Sequence, residues 1–191
     1  AWDFAELFAL KTGVKDIINI NNSIDLKDFN FLPINAETNE IVINGNGNTL
    51  SNLVISHESF DYVGIFSKVK NITVQGLNVN GFSVNGGQIV GLFAGDVSEE
   101  ACVISSCICG ELTAQSHLGS ICGCTDNLVV SNSLIDVSES AIDVIGGVAG
   151  MSNTEEIINS IIPPKTLDGI KLFFKKLEFS SNIIKYRHVQ I

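Results

Sequence analysis

A chain of 191 residues with 45% apolar content is long enough to bury a core as one folded unit. It has no run of about 20 apolar residues, so no membrane-spanning helix is expected. The net charge is −10, and between Lys70 and Lys165 ten Asp or Glu occur with no Lys or Arg, which excludes phosphate neutralisation, and hence nucleic-acid binding, by that stretch. Val, Ile and Leu dominate the apolar set, with 17 Gly, three Pro and abundant Asn and Ser, a composition that predicts short strands punctuated by turns.

In chain order, Trp2 to Gly13 has helical spacing of apolar groups, Asp3 as N-cap and Gly13 as C-cap, and predicts an N-terminal capping helix over residues 1–16. Such a helix would cover the exposed end of whatever follows. Strands are expected at Ile17 to Ile20, around Ile24-Asp25-Leu26, and at Glu40 to Ile43. The segment Asn44 to Leu50, with two glycines and three asparagines, predicts a tight turn; no GK[ST] follows it, so it does not read as a phosphate loop.

From residue 62 a glycine inside a short apolar run returns at Gly64, Gly91, Gly119 and Gly146, at intervals of 27, 28 and 27 residues, the mark of a stacked repeat. Three further rows move in step: Val74, Ile104, Val130 and Ile157; Val79, Cys109, Ile135 and Ile162; and Leu77, Cys107, Ser133 and Ser160. Each repeat therefore carries at least two short strands. Stacked as coils about 4.8 Å apart, equivalent strands form parallel ladders and equivalent side chains lie above one another. The recurrent glycine then has either a positive φ at a corner or a site of close packing to satisfy in every coil. The fold expected is an all-β parallel β-helix, or solenoid, of about four to five coils over residues 17–162. Pro163-Pro164 ends it, and Leu167, Ile170, Phe173, Phe174 and Leu177 predict a short helix in a C-terminal cap and basic tail over residues 163–191.

The five cysteines, Cys102, Cys107, Cys109, Cys122 and Cys124, lie within 23 residues. Structural zinc sites favour CxxC, whereas these are CxC pairs, so no metal site is expected. Residues two apart on a strand share a face, and both pairs are expected to point into the core as free thiols, with a disulfide between coils as the alternative. His57, His117 and His188 lie far apart without HExxH, and His117 reads as a turn residue before a strand.

The run Ile145-Gly146-Gly147-Val148-Ala149-Gly150, with cruder versions at Val63-Gly64-Ile65-Phe66 and Val90-Gly91-Leu92-Phe93-Ala94-Gly95, resembles the GLUG motif. So do the following strands, Val130-Ser131-Asn132-Ser133-Leu134-Ile135 and Ile158-Asn159-Ser160-Ile161. Upstream, Trp2-Asp3-Phe4, Ile24-Asp25-Leu26, Pro33-Ile34 and Gly45 to Leu53 resemble the segment that precedes such repeats in bacterial surface proteins. The resemblance covers roughly residues 2 to 162, and Leu118 to Gly123 departs from it. It implies a β-solenoid of large secreted or surface-attached proteins, including adhesin-like proteins and the non-catalytic N-terminal part of immunoglobulin-A-cleaving metallopeptidases. No catalytic residues come with the motif.

The function expected is thus a non-catalytic scaffold or adhesin-like interaction module, secreted or at the cell surface, with a protein or glycan ligand and no cofactor. The alternative is a polysaccharide-active β-helix. A hydrolase needs two carboxylates about 5 to 9.5 Å apart, and Asp96, Glu99, Asp126, Asp136 and Asp143 are scattered along turn-like segments. A lyase wants cations to stabilise developing charge, and the repeats have none between Lys70 and Lys165.

Overall fold

The computed structural model describes residues 14–163, 178–180 and 183–186. They form an all-β parallel solenoid of about five turns, with no helix among the described residues. The first turn holds β1 (Lys15–Asn19) and β2 (Ile24–Asp25); the second holds β3 (Ile34–Asn44), β4 (Thr49–Ser51), β5 (Val54–His57) and β6 (Tyr62–Val63). Three strands then recur per turn: β7 (Phe66–Gln75), β8 (Asn78–Gly86) and β9 (Ile89–Gly91); β10 (Ala94–Ile104), β11 (Cys107–Ala114) and β12 (His117–Gly119); β13 (Cys122–Ser131), β14 (Leu134–Ala141) and β15 (Val144–Ile145). A sixth turn begins with β16 (Ala149–Ile158), and the hairpin of β17 (Glu178–Ser180) and β18 (Ile183–Tyr186) closes the described chain.

The turns contribute strands to three sheets, one to each in the coils that begin with β7, β10 and β13. The long sheet runs β1-β3-β7-β10-β13-β16-β18-β17, the second β14-β11-β8-β4-β2 with β5 also on β8, and the short one β15-β12-β9-β6. Pairing is parallel except at the C-terminal end, where β18 lies antiparallel to β16, with Ile157 opposite Ile184. Reversal there ends the parallel stack on that sheet. Of the N-terminal cap expected over residues 1–16, residues 1–13 lie outside the described residues, while Lys15 and Asp16 already belong to β1; the helix expected over 167–177 lies outside the described residues, and beyond Pro163 the described part of the C-terminal segment is strand.

The core is a set of columns. Ile18, Ile43, Val74, Val103, Val130 and Ile157 stack inward along the long sheet, and Leu50, Val79, Ile108 and Ile135 along the second. The aligned rows therefore need a correction in one coil. Val103, Ile108 and Ser106 occupy the places expected for Ile104, Cys109 and Cys107, because the coil of β10 and β11 is displaced by one residue. A slip of one residue on a strand exchanges its two faces.

Between the long and second sheets the chain turns through one left-handed residue per coil: Gly76 (φ 59°), Ser105 (50°), Asn132 (50°) and Asn159 (47°). Asn and Gly suit this region because a Cβ is otherwise crowded there. The residue after it is a buried or half-buried serine in three successive coils. Ser133 Oγ donates to the Ser131 carbonyl at 2.8 Å and accepts from the Ser106 amide at 3.1 Å; the Ser133 amide in turn donates to Ser160 Oγ at 3.1 Å. The Asn-Ser dipeptide is thus a corner device: one residue makes the bend, the next satisfies its buried polar groups from coil to coil. In the second turn Asn46 (φ 54°) and Gly47 (φ 78°) take the bend instead, with the Asn48 amide donating to the Gly45 carbonyl at 2.9 Å, the tight turn expected there.

Candidate functional site

The recurrent glycines are packing positions. None of Gly64, Gly91, Gly119 and Gly146 has a left-handed φ. A Cβ on Gly91 would lie 2.3 Å from Cys122 Cα, and one on Gly119 would lie 2.4 Å from Ala149 Cα, so these glycines admit the backbone of the following coil, as Gly64 does that of Gly91 and Ala94, whereas Gly146 makes room for Ala149 and Gly150 of its own corner. A second column, Gly95, Gly123 and Gly150, lies close against the short sheet: Cβ atoms there would lie 2.8 Å from the Val63 amide, 2.4 Å from an Ile89 methyl and 2.8 Å from the Leu118 amide. The pattern G-x-x-[A/C]-G is therefore the corner from the short sheet into the next long strand. It carries architecture and presents no side chain to a ligand.

Outward polar side chains are largely engaged between coils. Asn44 bridges Asn19 and Gln75 at 2.8 and 2.6 Å. Asn71 Nδ2 donates to Glu99 at 2.7 Å while its Oδ1 accepts from the Glu100 amide, and Lys70 reaches Glu40 at 3.4 Å and Glu99 at 3.6 Å. Asp126 accepts from Asn153 at 2.9 Å. Asp96 faces Cys124 across the ladder and is pushed up by burial, while Asp136 stands beside Cys109 and Asp143 is exposed. Of the acids weighed as a hydrolytic set, Asp96 and Asp126 feel one another's charge, with Lys68 and Glu37 also acting on Asp96, while Glu99, Asp136 and Asp143 stand apart. His57 stacks on Phe60 at 5.1 Å, and His117, the first residue of β12, meets Ser116 Oγ through Nδ1 at 2.8 Å; His188 lies outside the described residues.

One dent interrupts the second sheet. Asn52 (φ 57°) breaks β4 from β5, Gly81 (φ 65°) is an extra residue in β8 relative to β11, and Asp28 (φ 65°) turns the chain beside them. The resulting groove, about 630 Å³, is lined by Lys27, Asp28, Phe29, Asn30, Asn52 and Gly81, among others. Phe29 supplies a half-buried ring set edge-on to Phe31 at 6.3 Å. Asp25 accepts from Asn52 Nδ2 at 2.8 Å and from the Lys27 amide at 3.0 Å, which hold its carboxyl below its ordinary range. An aromatic edge beside amide, ammonium and carboxylate groups suits a neutral polar ligand such as a sugar or an extended peptide. Bulges of this kind gather where a face is re-aimed.

At the opposite end the core changes character. Glu139 takes the column of Val84 and Leu112, and Glu155 that of Ile72, Ala101 and Leu128. Ser120 Oγ donates to Glu139 at 2.5 Å and Ser152 Oγ to Glu155 at 2.8 Å, with Thr125 also buried nearby in the Ser152 column. Polar residues at inward positions mark the end of an apolar stack. Sequence reading missed them; the signal is parity, since each glutamate falls on the inward phase of its strand.

The cysteines do not share one environment. Cys122 is fully buried at the corner and its thiol lies well above its ordinary range, through burial first and then the charges of Glu155, Cys124 and Asp96. Cys102, Cys107, Cys109 and Cys124 are half-exposed on outer faces, all five are free, and the expectation that both CxC pairs point inward is corrected. No three His, Cys, Asp or Glu side chains converge in a way that could hold a metal among the described residues, and no helix there is long and apolar enough to cross a membrane. No family model matches this chain, and neither the curated proteins nor the solved structures compared with it contain a match.

Proposed function

We propose that this chain is a non-catalytic β-solenoid module, a rigid scaffold and adhesin-like interaction surface within a larger surface or secreted protein. The observation that carries this reading is the use of the outer polar side chains: amides and carboxylates such as Asn71–Glu99, Asn153–Asp126 and Asn44–Gln75 bond one coil to the next. Such ladders stiffen a stack and leave its faces flat, which suits presentation at a distance and broad contact. The GLUG-like corners and the acidic body support the same reading. Ligand contact is assigned to the groove beside Phe29 and Asn52, whose mixed lining fits a glycan or an extended peptide.

A polysaccharide panel, neutral and anionic, tests the proposal in two readouts. Binding that falls at least tenfold in Phe29→Ala, with no turnover, is expected. Release of shorter products that is lost on substituting Asp96, Asp126 or Asp136 singly by Asn would show an enzyme and overturn it.

A further inference from the structure

Cys107 and Cys109 leave β11 on its outer side, with sulfur atoms 4.0 Å apart. β11 is hydrogen-bonded on both edges, by β8 and β14, so the two Cβ atoms are held and only side-chain rotation adjusts the sulfur separation. Asn78 and Leu134 flank Cys107 across the ladder, and Asn80 and Asp136 flank Cys109.

Distance separates three fates for this pair. A disulfide requires about 2.05 Å, so the sulfurs would have to close by about 2 Å against a strand pinned on both sides. Structural zinc requires four donors, and no third His, Cys, Asp or Glu joins the pair among the described residues. An ion content with two sulfurs needs almost no movement: at a metal–sulfur length of about 2.3 Å, the present separation subtends about 120° at the metal, and opening by about 0.6 Å makes it linear. Soft thiolates favour Cu(I), zinc and iron–sulfur clusters, and of these only Cu(I) is satisfied by two sulfur donors.

We propose that Cys107 and Cys109 form a surface chelate for one thiophilic monovalent cation, Cu(I), with its remaining coordination position open to solvent or to a small thiol. On binding, two S–H bonds break, two metal–sulfur bonds form, two protons pass to solvent, and the ion keeps its oxidation state. Because both thiols must lose their protons to bind, protons compete with the ion. The charged groups facing the pair are Glu111 on the same face of β11 and Asp136 on β14; β8 presents the uncharged Asn78 and Asn80. Both carboxylates favour the cation over the empty dithiolate.

The reduced full chain is titrated anaerobically with Cu(I) against a chromophoric Cu(I) chelator, beside Cys107→Ser, Cys109→Ser and the double variant Cys102→Ser/Cys124→Ser. One equivalent is expected in the native chain and the double variant and none in either single variant, with affinity rising between about pH 6 and about pH 8 as proton competition falls. All substituted positions face outward, and unchanged far-ultraviolet circular dichroism verifies the fold. Retention of the ion by Cys107→Ser or Cys109→Ser at the native level overturns the proposal. So does a native chain that holds no Cu(I), or one that in air loses two mass units at this pair instead.

Discussion

Replacing Gly91 by Ala is the sharpest test of the coil-to-coil packing. The new Cβ would lie 2.3 Å from Cys122 Cα and 2.6 Å from both the Cys122 carbonyl carbon and the Ala94 carbonyl oxygen, all backbone atoms, where ordinary contact begins near 3.4 Å. Relief requires the next coil to withdraw by roughly 1 Å, since no flexible side chain can yield in its place. Overpacking of this kind costs about 1–3 kcal/mol. Two stretched ladder bonds, such as that between the Phe93 amide and the Ile121 carbonyl, add about 1 kcal/mol each. The total of about 3–5 kcal/mol, at a urea dependence of about 2 kcal/mol per molar, lowers the unfolding midpoint by about 2 M. Gly47→Ala is the control: nothing lies within 4 Å of its Cβ, and only the φ of +78° opposes the methyl group. Left-handed strain of about 1–2 kcal/mol predicts a shift below about 1 M. Urea titrations followed by circular dichroism read both; equal midpoints for the two variants would refute the close-packing account of the glycine row.

Ser133→Ala removes the acceptor of the Ser106 amide in a buried corner and is expected to cost about 1–3 kcal/mol, whereas Asn132→Gly, which only relaxes a left-handed residue, shifts the midpoint by a few tenths at most; equal losses by urea titration would contradict the corner ladder. Phe82 fills the space that Gly110 leaves open in the coil above, a Cβ there lying 2.5 Å from the ring. Gly110→Ala and Phe82→Ala should each destabilise, and because removing the ring relieves the side-chain clash but leaves the Phe82 carbonyl oxygen 2.6 Å from the new Cβ, the double variant should recover only part of the loss, about 1 kcal/mol, in a double-mutant cycle; strict additivity would show that ring and methyl do not compete for one space. The Cys124 thiol is pushed up to about 11 by burial and then by Asp96. Because the folded state favours the neutral thiol, this contribution is intact below the ordinary thiol range near about 8.5 and is lost as pH rises towards about 11. Cys124→Ser should flatten the alkaline fall in stability over that interval, and an unchanged profile by thermal unfolding would count against it.

The period of the glycines, the β-branched rows and the Asn-Ser pairs made the solenoid legible before any coordinates, because every coil meets the same neighbours and must solve the same corner in the same way. Register within the coil of β10 and β11 was not legible. There, Val103-Ile104, Ser105-Ser106 and Cys107-Ile108-Cys109 offer apolar or small residues at both phases, so the alignment by type slips by one without penalty. In the folded stack the ladder admits one phase: Val103 beside Val74 and Val130, Ile108 beside Val79 and Ile135. That single residue turns Cys107 and Cys109 from core to surface, and the same parity, read on β14 and β16, brings Glu139 and Glu155 to inward positions. The choice between a left-handed glycine and a close approach was likewise open in one dimension, because it depends on Cys122 and Ala149, which lie a coil away.

Sequence by itself thus determined the architecture, since a periodic chain of β-formers with small residues at fixed corners has few ways to bury its apolar rows. Which face each side chain joins, where the second sheet dents, and which thiols meet were decided only by tertiary structure. Those depend on one-residue registers and bulges between coils some 27 residues apart, and a registry energy of that kind exists only once the neighbouring strand is in place.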